Sequence, residues 1–456
     1  MKVFNKLTIN KQEDLLMGNS PHPVKCGNGL TIGDGKVYPE INFTLPTMMI
    51  TQETMGEVRK HYSEIMTNIL TRSKTLNVSG LVVEFEQLPQ MTDTPEWGAE
   101  ITELIKAELD KFYIETNIPN ALRVTVCDLR DADHPPLLRT GSSVEKTLKG
   151  FELCAQAGAD ILSIESVGGK EVHDQALMYG DLYGIVASLG ILAHRDMSWL
   201  WKHITEIANK YGIISGGDSA CGFSNTAMQL SGQGMLPSVL AALDRAASAP
   251  RSLAAFEQGA VGPSKDCAYE GPIIKAITGY PISMEGKSAC CAHFSPLGNI
   301  AAAAADLWSN ESVQNVRLLS GNAPEAFMEL LIYDCRLYNT ALENGNGLMM
   351  RDMLVKSDVP HSVEALMLEP EVVLSIAQSI VDNSGGYAQT KAAVITAYGA
   401  IENALSQNIL SLSETEKVWL DKMKTNMDSF AETEEEALEY LQMMYGDVFT
   451  LEAYGI

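Results

Sequence analysis

No stretch of this 456-residue chain stays apolar for long enough to cross a bilayer; YGIVASLGILA and GNIAAAAADLW both fall short. The N-terminal MKVFNKLTINKQEDLLMG lacks the unbroken apolar core of a secretory signal. Basic residues are scarce, 33 against 58 acidic ones, for a formal net charge of −25. That field repels phosphate backbones and anionic lipid, which argues against nucleic-acid and membrane-surface roles. The eight cysteines (26, 127, 154, 221, 267, 290, 291 and 335) lack the paired spacing of a small disulfide scaffold. Without an export signal they are expected as reduced thiols in the cytoplasm. The histidines at 22, 61, 134, 173, 194, 203 and 361 form no HExxH or HxH pattern. SVGGKE and SGGDSACG are glycine-rich, yet neither matches GxxxxGKS/T or GxGxxG, so a phosphate loop is disfavoured. Glycines that let the backbone crowd the rim of a barrel explain them better. There is no internal repeat and no low-complexity tract.

What the chain does have is length enough for a large core and a repeating alternation of apolar runs, small-residue loops and helical patterns. The 21 methionines fit gap-filling in that core. Residues 17–47 are rich in Gly, Pro and Asn and read as an irregular segment that wraps or links. Residues 53–74 carry apolar positions at helical spacing. Strands are expected at Gly80–Phe85, Leu122–Cys127, Asp160–Ile164, Leu182–Leu189, Gly212–Gly217, Arg251–Phe256, Pro281–Met284 and Val316–Leu319. Helical stretches such as Ser143–Ala157, Met197–Lys210 and Leu236–Ala247 separate them. Strands alternating with helices argue for βαβ units and a parallel sheet, and about eight units favour closure. The expected fold is therefore α/β, a (β/α)8 TIM-like barrel over 76–322. It is preceded by an N-terminal wrapping segment and helix (1–75) and followed by a helical region (323–456). In that last region Ser413-x-x-Glu416 and Thr433-x-x-Glu436 look like capping boxes, and the acidic cluster Glu432–Glu436 like a solvated first helical turn.

Three residues that could hold one metal ion follow strand-like segments: Glu165 in ILSIESVGGKE, Cys221 in GIISGGDSACGFSNTAM and Cys267 in SLAAFEQGAVGPSKDCAYE. Neighbouring parallel strands would bring all three to the C-terminal rim, where barrels of this class place their chemistry. Two thiolates and a carboxylate leave a fourth position open, as catalytic zinc requires. Each has a plainer reading. Glu165 could be paired with Lys170 or Arg195, and Cys221 could be an inert apolar filler. Cys267, in a polar loop beside Lys265, is a less natural filler, and a nearby cation favours its thiolate. No short-range ligand spacing links the three; the shared post-strand position does. A rival set, Cys290, Cys291 and His293 in EGKSACCAHF, suits a role around the site better than one-ion chelation, because adjacent cysteine side chains diverge. A cysteine nucleophile paired with His293 has nothing local to fix it.

At these residues the chain resembles a known family, the zinc-containing subunit that moves the methyl group of methanol onto a corrinoid protein, methanol–corrinoid (methanol–cobalamin) methyltransferase. The likeness covers almost the whole chain. Its blocks, in order, are PEWGAEI, GADILSIESVGGKEV, SGGDSACGFSNTAM, SAPRSLAAFEQGAVGPSKDCAYE, IKAITGYPISMEGKSACCAHF and LWSNESV. The resemblance implies an α/β barrel with one zinc held by Glu165, Cys221 and Cys267. It also implies a dimer of this subunit, each copy bound to a separate corrinoid-carrying protein. In that chemistry zinc assists departure of the methanol oxygen as a Lewis acid, and Co(I) of the corrinoid takes the methyl group. Asp218, Glu257 and Glu285 are candidates by position for a proton donor or for orienting the ligands. No DxHxxG corrinoid motif occurs here, so the cobalt cofactor is expected on the partner. Three alternatives stay open: a demethylase for another donor such as a methoxylated or methylamine-like compound, a non-catalytic barrel that docks a corrinoid protein, and a different metallohydrolase.

Overall fold

Runs such as LVVEFE and NALRVTV are too short for a buried helix and rich in β-branched residues; they form strands buried on both faces. The structure, a computed structural model, describes residues 2–45, 48–218, 220–267, 269–285, 297–313, 317–318 and 321–456. A hairpin of β1 (Asn19–Cys26) and β2 (Leu30–Asp34) comes first. Eight parallel strands follow: β3 (Tyr38–Thr44), β4 (Leu81–Glu86), β5 (Asn120–Val126), β6 (Ile161–Ile164), β7 (Ile214–Asp218), β8 (Ser264–Asp266), β9 (Ile282–Glu285) and β10 (Leu307–Val313). Their order in the sheet is β7-β6-β5-β4-β3-β10-β9-β8. The two end strands approach each other, for Val261 N, just ahead of β8, donates to Ser215 O of β7 at 3.0 Å. Gly217 sits at φ +133°, and a Cβ there would lie 2.8 Å from Ser264 Cβ. Glycine is what lets β7 close on β8. The expected barrel is the observed one, nearly closed and surrounded by helices.

Several strands are not where the sequence pattern puts them. Leu182–Leu189 is helical, part of one run from Leu182 to Tyr211 that passes through a wide π turn at Ser188–Ala193. Arg251–Phe256 lies inside the helix Ser238–Glu257, and the strand of that unit is the short, polar β8. Both misread segments are buried all round, so they show no amphipathic period, and apolarity alone does not separate strand from helix. Conversely β3 lies within residues 17–47, read as irregular, and β10 was not picked out as a strand. Of Val316–Leu319, residues 317–318 are described; they pair antiparallel with Gly321–Asn322, outside the barrel sheet.

The barrel axis is filled with charge rather than with branched apolar side chains. Alternation along β3, β4 and β5 turns Glu40, Glu84 and Arg123 inward, all fully buried. Arg123 Nε donates to Glu40 Oε1 at 2.5 Å, and its Nη1 reaches Ser163 Oγ at 2.8 Å and Pro263 O at 2.9 Å. One layer nearer the rim, Thr125 Oγ1 donates to Glu84 Oε1 at 2.6 Å, and Asn42 Nδ2 to Glu86 Oε2 at 2.8 Å.

Helices dominate after residue 323. Thr433 and Glu436 form the full capping box, while Ser413 accepts from Glu416 N. The Glu416 carboxylate instead caps another helix, accepting from Ser238 N at 2.8 Å and Val239 N at 3.0 Å. Among the described residues, no helix is long and apolar enough to cross a membrane. The helices Lys170–Tyr179 and Ser238–Glu257 are tied by His173 Nε2 and Asp244 Oδ1, 3.1 Å apart and fully buried. Burial works against a charged imidazole, but the carboxylates of Asp244 and Asp174 together outweigh it and lift His173 to about 9. Stability from this pair is complete below the ordinary value of 6.5 and is lost as pH rises through about 9. The melting temperature of the wild-type chain should therefore fall between pH 6.5 and 9 more steeply than that of His173→Gln. Parallel melting curves would show that the pair does not carry this dependence.

Candidate metal centre

Glu165 is the first residue after β6, Cys267 the first after β8, and Cys221 follows Asp218, the last residue of β7. Because β6, β7 and β8 are neighbours around the barrel, their C-terminal ends share one sector of the rim. Cys221 opens a wide π turn, Cys221–Asn225, that runs into the helix Thr226–Gly232. Such turns recur at functional sites because they displace one residue from regular helical packing. The carboxylate oxygen and the two sulfurs all lie within 4.8 Å of one another. Donors around one tetrahedral zinc sit roughly 3.5 to 3.8 Å apart, given metal–ligand bonds of about 2.0 to 2.3 Å. The trio is thus within about an ångström of chelating spacing. Cys127, just after β5, is not in that group, and burial pushes its thiol up to about 12.

Beneath the trio lies Lys265, 1% exposed. In a strand, residues two apart share a face, so Lys265 sits on the axis one layer below Cys267. Its Nζ is 2.8 Å from Glu165 Oε1, 3.1 Å from Glu86 Oε2 and 3.2 Å from Glu84 Oε1. Burial opposes the ammonium charge, but the carboxylates of Glu165, Glu84 and Glu86 hold its pKa well above the usual lysine value. Glu165 itself is pushed up by burial, partly opposed by Lys265. The hydrogen bond it shares with Cys267, and then burial, hold the Cys221 thiol far above its ordinary value. Two sulfurs and a carboxylate so close together cannot all carry charge without a cation between them. Two soft thiolates with one carboxylate is a donor set that suits borderline-soft zinc. The residues therefore fit the ion, and three protein donors leave one position for another ligand.

The pairing expected for Glu165 is corrected. Lys170 pairs with Asp174 and Arg195 with Glu434, so Lys265 is the partner. Among the expected neighbours, Glu285 accepts from Cys267 Sγ at 2.9 Å. Asp218 accepts from Ser166 N at 3.2 Å and from Trp201 Nε1 at 3.4 Å, which ties the Glu165 loop to β7. Glu257 is not brought to the trio. It ends the helix Ser238–Glu257, faces His194 at 3.8 Å, and is raised by burial to about 7. Cys290, Cys291 and His293 lie outside the described residues. The sequence offers Lys265 only as a cation near Cys267, not as the partner of Glu165, and gives no role to Arg251 or Glu270. Glu270 Oε1 accepts from Ala220 N at 3.0 Å and Ser252 Oγ at 2.6 Å, fixing the backbone next to Cys221. The signal for Lys265 was its period-two spacing to Cys267; Arg251 and Glu270 act across loops and left no local pattern.

The family model described as methanol-cobalamin methyltransferase B subunit matches residues 1–455. The chain belongs to that family. It is 39% identical over 440 residues to the methanol–corrinoid protein co-methyltransferase of Methanosarcina barkeri (strain Fusaro / DSM 804), covering 94% of this chain and 95% of that one. The crystal structure of the methanol:cobalamin methyltransferase complex MtaBC from Methanosarcina barkeri includes a chain that superposes with a TM-score of 0.95 at 37% identity. That match spans 100% of both chains. As a member of the methanol-cobalamin methyltransferase B family, the protein is an enzyme, a methyltransferase.

Lys265→Met should cost about 3 to 5 kcal/mol of stability, because it strands three carboxylates around a buried position. Denaturant unfolding of the metal-free variant measures this, and an unchanged midpoint would show that the carboxylates are balanced elsewhere.

Proposed function

We propose that this chain transfers the methyl group of methanol to the cobalt of a corrinoid carried by a separate protein, with one zinc ion held by Glu165, Cys221 and Cys267. The observation that carries this reading is the grouping of those three donors within 4.8 Å at the rim of a barrel of this family. When bound, zinc supplies Lewis-acid polarisation of the methanol oxygen, and the partner's corrinoid supplies the nucleophile.

The chain's own residues do the rest by position and charge. Glu165 is held by Lys265 at 2.8 Å, so one carboxylate oxygen is anchored and the side chain is oriented before any metal arrives. Glu285 Oε1, 2.9 Å from Cys267 Sγ, is placed to accept that thiol's proton as the sulfur becomes a ligand. Asp218 holds Ser166 N and so fixes the exit of the chain from Glu165. The carboxylates Glu84, Glu86 and Glu165 beside the site disfavour an anionic ligand and favour a neutral alcohol at the fourth position. A corrinoid protein docking over the rim would close this space from water, and the family likeness supports a dimer with one such partner per copy.

The test is metal analysis followed by methyl transfer from methanol to cob(I)alamin, read as methylcobalamin absorbance. Zinc-loaded wild-type protein should methylate cobalamin, whereas Cys221→Ala and Cys267→Ala should lose zinc and activity while keeping the barrel fold. Glu165→Gln should weaken zinc less and activity more. A Cys221→Ala/Cys267→Ala double variant that still loads fully with zinc would refute the ligand assignment. Methoxylated aromatics and methylamines in the same assay separate methanol from other donors.

A further inference from the structure

Two of the three donor-bearing loops are joined by a side chain whose described contacts include none of the donors. Arg251 projects from the helix Ser238–Glu257 and is fully buried. Its Nη2 donates to Ser166 O at 3.1 Å and to Ser166 Oγ at 2.7 Å. Ser166 is the residue after Glu165. The same nitrogen lies 3.7 Å from Asp218 Oδ1, and Asp218 in turn accepts from Ser166 N. The flat guanidinium also lies over the ring of Phe223, 4.4 Å from its centroid, and Phe223 is in the wide turn that Cys221 opens. Ser166 is therefore bracketed on its N–H, its carbonyl and its hydroxyl, which also donates to Met197 Sδ at 3.1 Å. Phe223 is also packed edge-on by His173, with ring centroids 5.1 Å apart.

We infer that Arg251 is a positioning residue for the metal centre, a strut that sets the Glu165 loop and the Cys221 turn at one fixed separation. The inference rests on the zinc site proposed above. A lysine in its place would keep a positive charge opposite Asp218, yet it lacks the planar face that covers Phe223 and the rigid geometry that aims one nitrogen at both Ser166 oxygens. Charge balance and strutting thus make different predictions for the same position.

The experiment compares wild-type protein, Arg251→Met and Arg251→Lys by chelator competition for zinc, by the absorption spectrum of the cobalt(II)-loaded form, and by melting of the metal-free form. Arg251→Met should weaken zinc by about 10- to 100-fold, the usual cost of removing a group that orients ligands. Arg251→Lys should resemble it, and both should shift the thiolate-to-cobalt and d–d bands at full loading. A purely structural role would lower the melting temperature and leave the spectrum of the loaded protein unmoved. Wild-type affinity and spectrum in both variants would overturn the inference, as would full rescue by lysine. Should neither variant fold, Ser166→Ala decides: it removes one of the two hydrogen bonds from Arg251 to Ser166, and unchanged zinc affinity would sink the strut. A wild-type chain that binds neither zinc nor cobalt(II) would instead defeat the zinc site itself.

Discussion

The buried ammonium of Lys265 is the constraint on which the rest of this molecule turns. It stands on the axis of a closed sheet with three carboxylates within 3.2 Å, and it is shielded from water. Ions in such a place are tolerated only when paired and hydrogen-bonded, so each partner must be delivered accurately by its own strand. Glu84 and Glu86 come from β4, Glu165 from the end of β6, and Lys265 from β8. Any slip in register by one residue would turn these groups into the surrounding helices. Along the axis, two cations, Arg123 and Lys265, face four carboxylates, Glu40, Glu84, Glu86 and Glu165. The excess is negative and lies toward the rim. A divalent cation beside Glu165 is what such a column would attract, so the interior charge and the donor trio belong to one electrostatic arrangement.

Closure of the barrel supplies the remaining condition. Cys221 and Cys267 lie 46 residues apart in the chain, and they meet because β7 and β8 complete the circle. That closure depends on the close approach of Gly217 to Ser264, while Gly216 leaves room for side chains of β5 and β6. A Cβ on Gly216 would lie 2.8 Å from Ile161 Cγ2 and 3.0 Å from Arg123 Nη1. The glycine pair in SGGDSACG therefore serves closure and packing, and the loop after it presents the thiol.

These features differ in how readily the sequence discloses them. The alternation of strand and helix is a local property, which is why the barrel and the post-strand positions of Glu165 and Cys221 could be read directly; for Cys267 the run taken as its strand, Arg251–Phe256, is helix, and the strand that delivers it is β8. The strands themselves were harder. Leu182–Leu189 and Arg251–Phe256 are apolar because they are helices buried on every side, and they mimic strands buried on both faces. β8 is three residues long and polar, so nothing in its composition announces a strand. Its polarity was nevertheless informative. A lysine two positions before a candidate ligand, and glutamates two positions apart in LVVEFE, point charge into a barrel interior where branched apolar residues are usual. Arg251 and Glu270 left no such trace, because each acts on a loop distant in sequence and their roles exist only after the sheet has closed.

The same arrangement decides how far the metal and the fold depend on each other. In small zinc domains the ion supplies the folding energy, because little else gathers the ligands. Here the proposed ligands are gathered by other means: Glu165 by its ion pair with Lys265, Cys267 by its strand and by Glu285, and the start of the Cys221 turn by the Glu270 carboxylate. Each of these contacts is made by protein groups alone. The cost of bringing the donors together is thus met during folding of the barrel, and only the protons of the two thiols remain to be displaced. A site organised in this way can keep three strong anionic donors at one point while leaving the fourth position free of protein, since no fourth residue is needed to complete the cage. On the proposed function, that open position is the feature that would let a metal held at the rim act on an alcohol.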